Sequence, residues 1–234
     1  MKLKTGMTLL LVIGLGAISL NALAKKQELP EVNEDGLHLV KDSKLAIVYA
    51  EPGADLAPYN RVKILEPYVA FKKNWARDQR RNSAQRLRVS SHDMEKIKNS
   101  LAKEFETIFT DALKNGGYAV VEEAADDVLL IRPAIINLDV NAPDTPTAGR
   151  STTFTSSAGE MTLYIEVYDS VTGDLIAKAL DRRVDNRNSS FYTWSNSVTN
   201  RAAAVKILKG WAEIIVKALD EAKSHPVELE ADSS

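Results

Sequence analysis

The chain contains no cysteine, only three histidines, 6% aromatic residues and no strong excess of either charge. Without cysteine there is no disulfide, no thiolate nucleophile and no attachment point for a cysteine-linked lipid. The fold must be held by its hydrophobic core, which a chain of 234 residues can supply. The histidines, His38, His92 and His225, are scattered, and no H-E-x-x-H spacing occurs. A zinc site would lack its usual ligand set. Neither G-x-S-x-G nor a phosphate-cradling glycine loop is present, and no serine is paired in sequence with a base. No catalytic residue, cofactor or metal ligand is therefore assigned. A net charge of −2 argues against a general nucleic-acid or membrane-surface binder.

What is present begins with an address. Lys2 and Lys4 precede the apolar run Met7 to Leu20, and Ala22-Leu23-Ala24 forms a small-x-small cleavage site. The run is too short for a membrane-spanning helix, which needs roughly 20 apolar residues. Residues 1–24 read as a cleaved signal peptide, which takes the protein out of the cytoplasm. No later segment is long and apolar enough to span a bilayer. Residues 25–43, polar and acidic around Pro30, read as a flexible leader; 44–224 as one domain; and 225–234 as a disordered tail.

Within the domain, Lys44 to Tyr49 and Val62 to Phe71 are strand candidates. Pro67 requires the second to lie at an edge, carry a bulge or end early. Ser90-x-x-Asp93 predicts a capped helix start. Met94, Ile97, Leu101, Phe105, Ile108, Phe109 and Leu113 then form one apolar stripe, stopped at Gly116-Gly117. Tyr118 to Val121 and Val128 to Val140 follow as strands, the latter with Val128, Leu130, Ala134, Ile136, Leu138 and Val140 expected on one face. Residues 141–158 read as a mobile loop. Met161, Leu163, Ile165 and Val167 alternate with polar positions, a half-buried strand; its hairpin partner is Leu175 to Val184. After a polar loop at 185–197, the stripe Val198, Ala202, Val205, Leu208, Trp211, Ile215 and Leu219 marks a last helix. The expected fold is α+β: a two-layer sandwich in which two long helices cover one face of a mostly antiparallel sheet of about five strands.

The strongest local anomaly is residues 72–88. They carry Lys72, Lys73, Arg77, Arg80, Arg81, Arg86 and Arg88 against the single acid Asp78, with Trp75 among them. Guanidinium forks match phosphate and carboxylate, and an exposed Trp75 would stack on a sugar or sit at a lipid headgroup. The alternative is a solvated loop whose Trp75 packs on the domain edge. Phe191, Tyr192 and Trp194 form a second candidate, a recognition loop or one that folds back over the sheet. Asp139, Asp144 and Glu160 flank the long loop and could serve acid–base chemistry, although carboxylates are common at strand ends for solvation alone.

Pro52-Gly-Ala-Asp-Leu56 with Tyr59, Asn74-Trp-Ala-Arg-Asp-Gln79, Asp169-Ser-Val-Thr-Gly173, Asp181-Arg-Arg183 and Trp194-Ser-Asn-Ser-Val-Thr-Asn200 occur in an order and spacing that resembles the bacterial domain-of-unknown-function family 3313. The resemblance runs from about Gly36 to Ala222. It implies a single-domain Gram-negative envelope protein with no assigned activity and no catalytic residue to carry over. Many such proteins are lipoproteins anchored by a cysteine after the signal; here Lys25 takes that place. The expectation is a non-enzymatic periplasmic binding or accessory module whose partner is an envelope protein, an anionic lipid headgroup or a glycan, and not nucleic acid. Two alternatives remain open: a small hydrolase of cell-wall glycan or peptide, and a structural subunit with an apolar patch on the sheet face away from the helices.

Overall fold

A computed structural model describes residues 29–82, 89–140, 153–155, 159–184, 193–195 and 197–224. The expected signal peptide and tail lie outside these residues. The backbone of the described chain is organised around one long strand, β6 (Val128–Val140). On one side β6 pairs antiparallel with β8 (Gly159–Asp169), which pairs antiparallel with β9 (Leu175–Val184). Beyond β9 lie β2 (Ile47–Ala50) and β1 (His38–Leu39), again antiparallel. On its other side β6 carries two short strands end to end, β3 (Arg61–Ile64) and β4 (Tyr68–Phe71), both parallel to it. The strand β5 (Ala119–Val120) adds in parallel to the outside of β3. The sheet is thus mixed and eight-stranded. A separate antiparallel pair joins β7 (Thr153–Thr155) to β10 (Thr193–Ser195).

The α+β class agrees with expectation, but an antiparallel sheet of about five strands does not. Apolar periodicity identifies strands without revealing their direction. The long helix between β4 and β5 carries the chain back to start in the same sense, which makes this side of the sheet parallel. The segment 62–71 is two strands rather than one. Pro67 has no donor, so pairing lapses after the Leu65 amide, which still donates to the Ile131 carbonyl, and resumes at Tyr68 on the same partner. Part of the expected leader also joins the sheet. Leu37 is buried and His38–Leu39 pair with β2, helped by the Asn33 side chain, which accepts from the amides of Asp35 and Leu37.

Among the described residues there are three helices, a short one, α1 (Trp75–Asn82), and the two expected long ones, α2 (Ser91–Asn115) and α3 (Ser197–Ser224). The predicted capping box is present, with Ser90 and Asp93 bonding each other's backbone amides. Leu101, Phe105, Phe109 and Leu113 of α2 and Leu208, Trp211, Ile215 and Leu219 of α3 are buried against one sheet face. Glu104 meets Arg201 near one end, and Tyr118 just beyond α2 bonds Asp220 near the other, so the two long helices run parallel. Gly116 ends α2 close against α3; a Cβ there would collide with Val216 Cγ1.

From β8 the helices receive Met161, Leu163, Ile165 and Val167, as the alternation predicts. From β6 they receive Leu129, Ile131 and Ile135, the parity opposite to the expected one. A register shift between Ile136 and Asp139, with Asn137 at φ 53°, then reverses the alternation and brings Leu138 to the same core. Both parities of this strand are apolar, so periodicity alone could not choose the face.

One polar group sits among these apolar side chains. Asp181 of β9, 5% exposed, lies opposite Leu163 in the ladder. It accepts from Trp211 Nε1 at 2.7 Å, from the Ala46 amide at 3.0 Å and from Arg183 Nε at 2.5 Å. Asp181→Ala is expected to strand the Trp211 donor in the core and cost about 1–3 kcal/mol or more. A lowered urea midpoint, partly restored by the added Trp211→Phe change, would show this. Gly116→Ala should destabilise by about 1–3 kcal/mol through overpacking, and Val216→Ala in the same chain should relieve it in thermal melts.

Candidate functional site

The basic segment is built onto the end of β6. Asn74, at φ 65°, turns the chain out of β4, and its carbonyl accepts from the amides of Arg77 and Asp78 to start α1. Trp75 is buried, 3% exposed, and stacks on Phe71 with ring centroids 4.2 Å apart. Its indole N–H and the Gln79 amide both donate to the Val140 carbonyl, each at 3.2 Å. Trp75 therefore packs on the edge of the body, and the reading of an exposed stacking platform is corrected. Burial of the ring and a free backbone acceptor at the end of β6 hold it inward.

The cations around it divide into two groups. Lys72 is engaged, bonding Asp139 at 3.1 Å and lying 3.6 Å from Glu160. The hydrogen bond and charge of Asp139 hold its ammonium pKa above the ordinary lysine value. Lys73, Arg80 and Arg81 are exposed, and Arg77, also exposed, has only the neighbouring Asp78 at 3.6 Å. Arg86 and Arg88 lie outside the described residues. So do Phe191 and Tyr192, while Trp194 falls in β10, paired with Phe154.

Beside this helix an open groove of about 310 Å³ runs between β4 and the first turns of α2. Tyr68, Phe71, Lys72, Arg77, Met94 and Lys98 are among its lining residues, and among the described residues no carboxylate lines it. Tyr68 is 67% exposed. Sequence reasoning found the cations but not the groove, because β4 and α2 are far apart in the chain. Pro67 was the available signal that an open strand edge lay here.

Asp139 and Glu160 do come together, as cross-strand partners at the end of the β6–β8 ladder. Lys72 lies between them, and Arg182 pairs with Glu160. Like charges directly opposite one another are unfavourable in a ladder, and these cations offset that. Asp144 is outside the described residues. The adjacent cleft measures only about 40 Å³ and is walled mostly by apolar residues of α3 and the strands. Among the described residues no group of acids and histidines is arranged to hold a metal ion.

The sheet face away from the helices carries a different cluster. Glu166 is 8% exposed yet fully engaged: Tyr164 donates to it at 2.6 Å, Tyr168 at 2.9 Å and Arg132 at 3.4 Å, with Lys178 at 3.7 Å. Burial pushes its carboxyl pKa up, but the tyrosine hydrogen bonds and the Lys178 and Arg132 charges outweigh that and hold it below the usual glutamate value. This face is mixed, since β6 adds the half-buried Leu130, Ala134 and Ile136 beside the charged cluster. The large exposed apolar residues among those described are Leu29, Val32, Tyr68 and Val171.

Fold and surface together describe an α+β protein with a cation-lined groove beside an exposed arginine helix. Among the described residues, no helix is long and apolar enough to cross a membrane. The chain belongs to the family described as a protein of unknown function, DUF3313, whose family model matches residues 33–215. No curated protein matches it. Solved structures similar to it include the PelC dodecamer from Paraburkholderia phytofirmans, at 11% identity over 71% of this chain and 95% of that one, with a TM-score of 0.36. A Xanthomonas campestris protein of family model DUF330 is 14% identical over 73% and 90%, at 0.38. A DUF4136 family protein from Bacteroides thetaiotaomicron is 10% identical over 74% and 94%, at 0.35. Likenesses this distant carry no functional argument.

Two tyrosines give the fold a measurable alkaline limit. Burial, then hydrogen bonding to Asp169, pushes the Tyr59 hydroxyl up to about 12; burial and Glu166 do the same for Tyr164. Because these folded-state values exceed the ordinary tyrosine value of 10.0, the neutral phenols favour the folded state. Their contribution is complete below pH 10 and lost as the pH rises through about 12. Denaturant midpoints should fall across that window, and Tyr59→Phe should flatten the decline.

Proposed function

We propose that this protein is a non-enzymatic binding or accessory module of the bacterial cell envelope, exported by its N-terminal segment and working in the periplasm. Its contact surface is the cation-lined groove with the adjoining outer face of α1. The observation that carries this reading is a cluster of exposed cations, beside the groove, that the fold does not use. Asp139, Glu160, Glu166 and Asp181 all have cationic or hydrogen-bonding partners within the fold. Lys73, Arg80 and Arg81 have no ion pair among the described residues and face outward. Side chains that contribute nothing to internal pairing are free to meet an anionic partner.

The hydrolase alternative has no comparable support, since its two described carboxylates are held by Lys72 and Arg182 beside a small apolar cleft. The test is the triple change Arg77→Ala, Arg80→Ala, Arg81→Ala. Removing exposed arginines should leave the melting temperature nearly unchanged while weakening retention on anionic envelope fractions at low salt. Retention equal to that of the unaltered protein would defeat the reading.

A further inference from the structure

The groove has a property that charge alone does not use: one wall is the open side of a strand. β4 pairs with β6, and among the described residues no strand pairs with its other side. Such an edge presents a row of backbone donors and acceptors that another extended chain can satisfy. Every residue of β4, from Tyr68 to Phe71, borders the groove, with Tyr68 exposed and Val69 turned into the core. The opposite wall, at Met94 and Lys98, combines an apolar side chain with a cation, and Lys72 and Arg77 close the far end.

We propose that β4 receives an extended, acidic segment of a partner protein as an additional strand. Alternate side chains of that segment would be apolar, against Phe71 and Met94, and acidic, toward Arg77 and Lys98, displacing their exposed helix neighbours Asp78 and Glu95, while Lys72 stays with Asp139 and Glu160. This rests on the binding-module reading and narrows it. A lipid headgroup or an acidic glycan needs only exposed positive charge, which Arg80 and Arg81 offer on α1 without any groove. Only a polypeptide also has the backbone that matches a strand edge.

The probe is a short synthetic peptide alternating valine and glutamate, titrated into the mature chain and followed by backbone amide shifts and hydrogen exchange. Vesicles containing phosphatidylglycerol are tested in parallel. The expected result is slowed exchange at amides within Tyr68–Phe71. Affinity should fall roughly tenfold or more when glutamine replaces glutamate in the peptide, or when the protein carries Arg77→Glu with Lys98→Glu. Arg77→Gln with Lys98→Gln, a milder change, provides the same comparison should charge reversal disturb folding. Peptide binding that leaves the β4 amides unprotected overturns strand addition. Vesicle binding without peptide binding overturns it too, leaving the module reading in place. If neither probe binds, and the triple arginine change also leaves envelope retention intact, both readings fall.

Discussion

A single buried carboxylate ties the layers of this protein together. Asp181 lies on the helix-facing side of the sheet, where its neighbours are leucine, isoleucine and valine. It spans three elements at once: the chain entering β2, its own strand β9, and the middle of α3 through the Trp211 indole. A charge in that position is costly unless every lone pair is used. Here Arg183 reaches in from the half-exposed edge and supplies the counter-charge. The polar group is thereby made specific as well as tolerable. Only one placement of α3 across the sheet sets Trp211 Nε1 against Asp181, whereas an apolar stripe could slide by a turn.

The blocks that carry the family resemblance turn out to be of this structural kind. Trp75 and Gln79 share the last carbonyl of β6. Asp169 accepts from the amides of Val171 and Thr172 and from the Tyr59 hydroxyl, so one carboxylate shapes the β8–β9 hairpin and pins the chain before β3 to it. Asp181 and Arg183 are described above. In the described residues these positions fix turns and docking angles, and none assembles a reactive group. The outward-facing cations Arg80 and Arg81 lie just past one such block. A recurring pattern of this sort defines a scaffold, and specificity is left to the surface between its fixed points.

Much of the helical half was legible because its signals are local. The capping box at Ser90, the stripe from Leu101 to Leu113 and the stop at Gly116 are all written within one turn or two of where they act. The alternation in β8 was equally plain, since its outward positions are polar. β6 was not, because Leu129, Leu130, Ile131, Ile135 and Ile136 offer apolar residues to both faces and Asn137 reverses the alternation partway. The inward turn of Trp75 depends on the Val140 carbonyl, distant in the chain, so the sequence left the exposed and the packed readings side by side. The groove was hidden for the same reason: its two walls meet only in three dimensions.

The parallel course of α2 and α3 has an electrostatic consequence. Peptide dipoles in neighbouring antiparallel helices largely cancel, but here they add, each helix start acting like about half a positive charge. Both starts point toward the end of the molecule that carries α1 and the groove, and both finishes toward the Tyr118–Asp220 end. Each start therefore adds a local partial positive charge beside the cations of α1 and the groove.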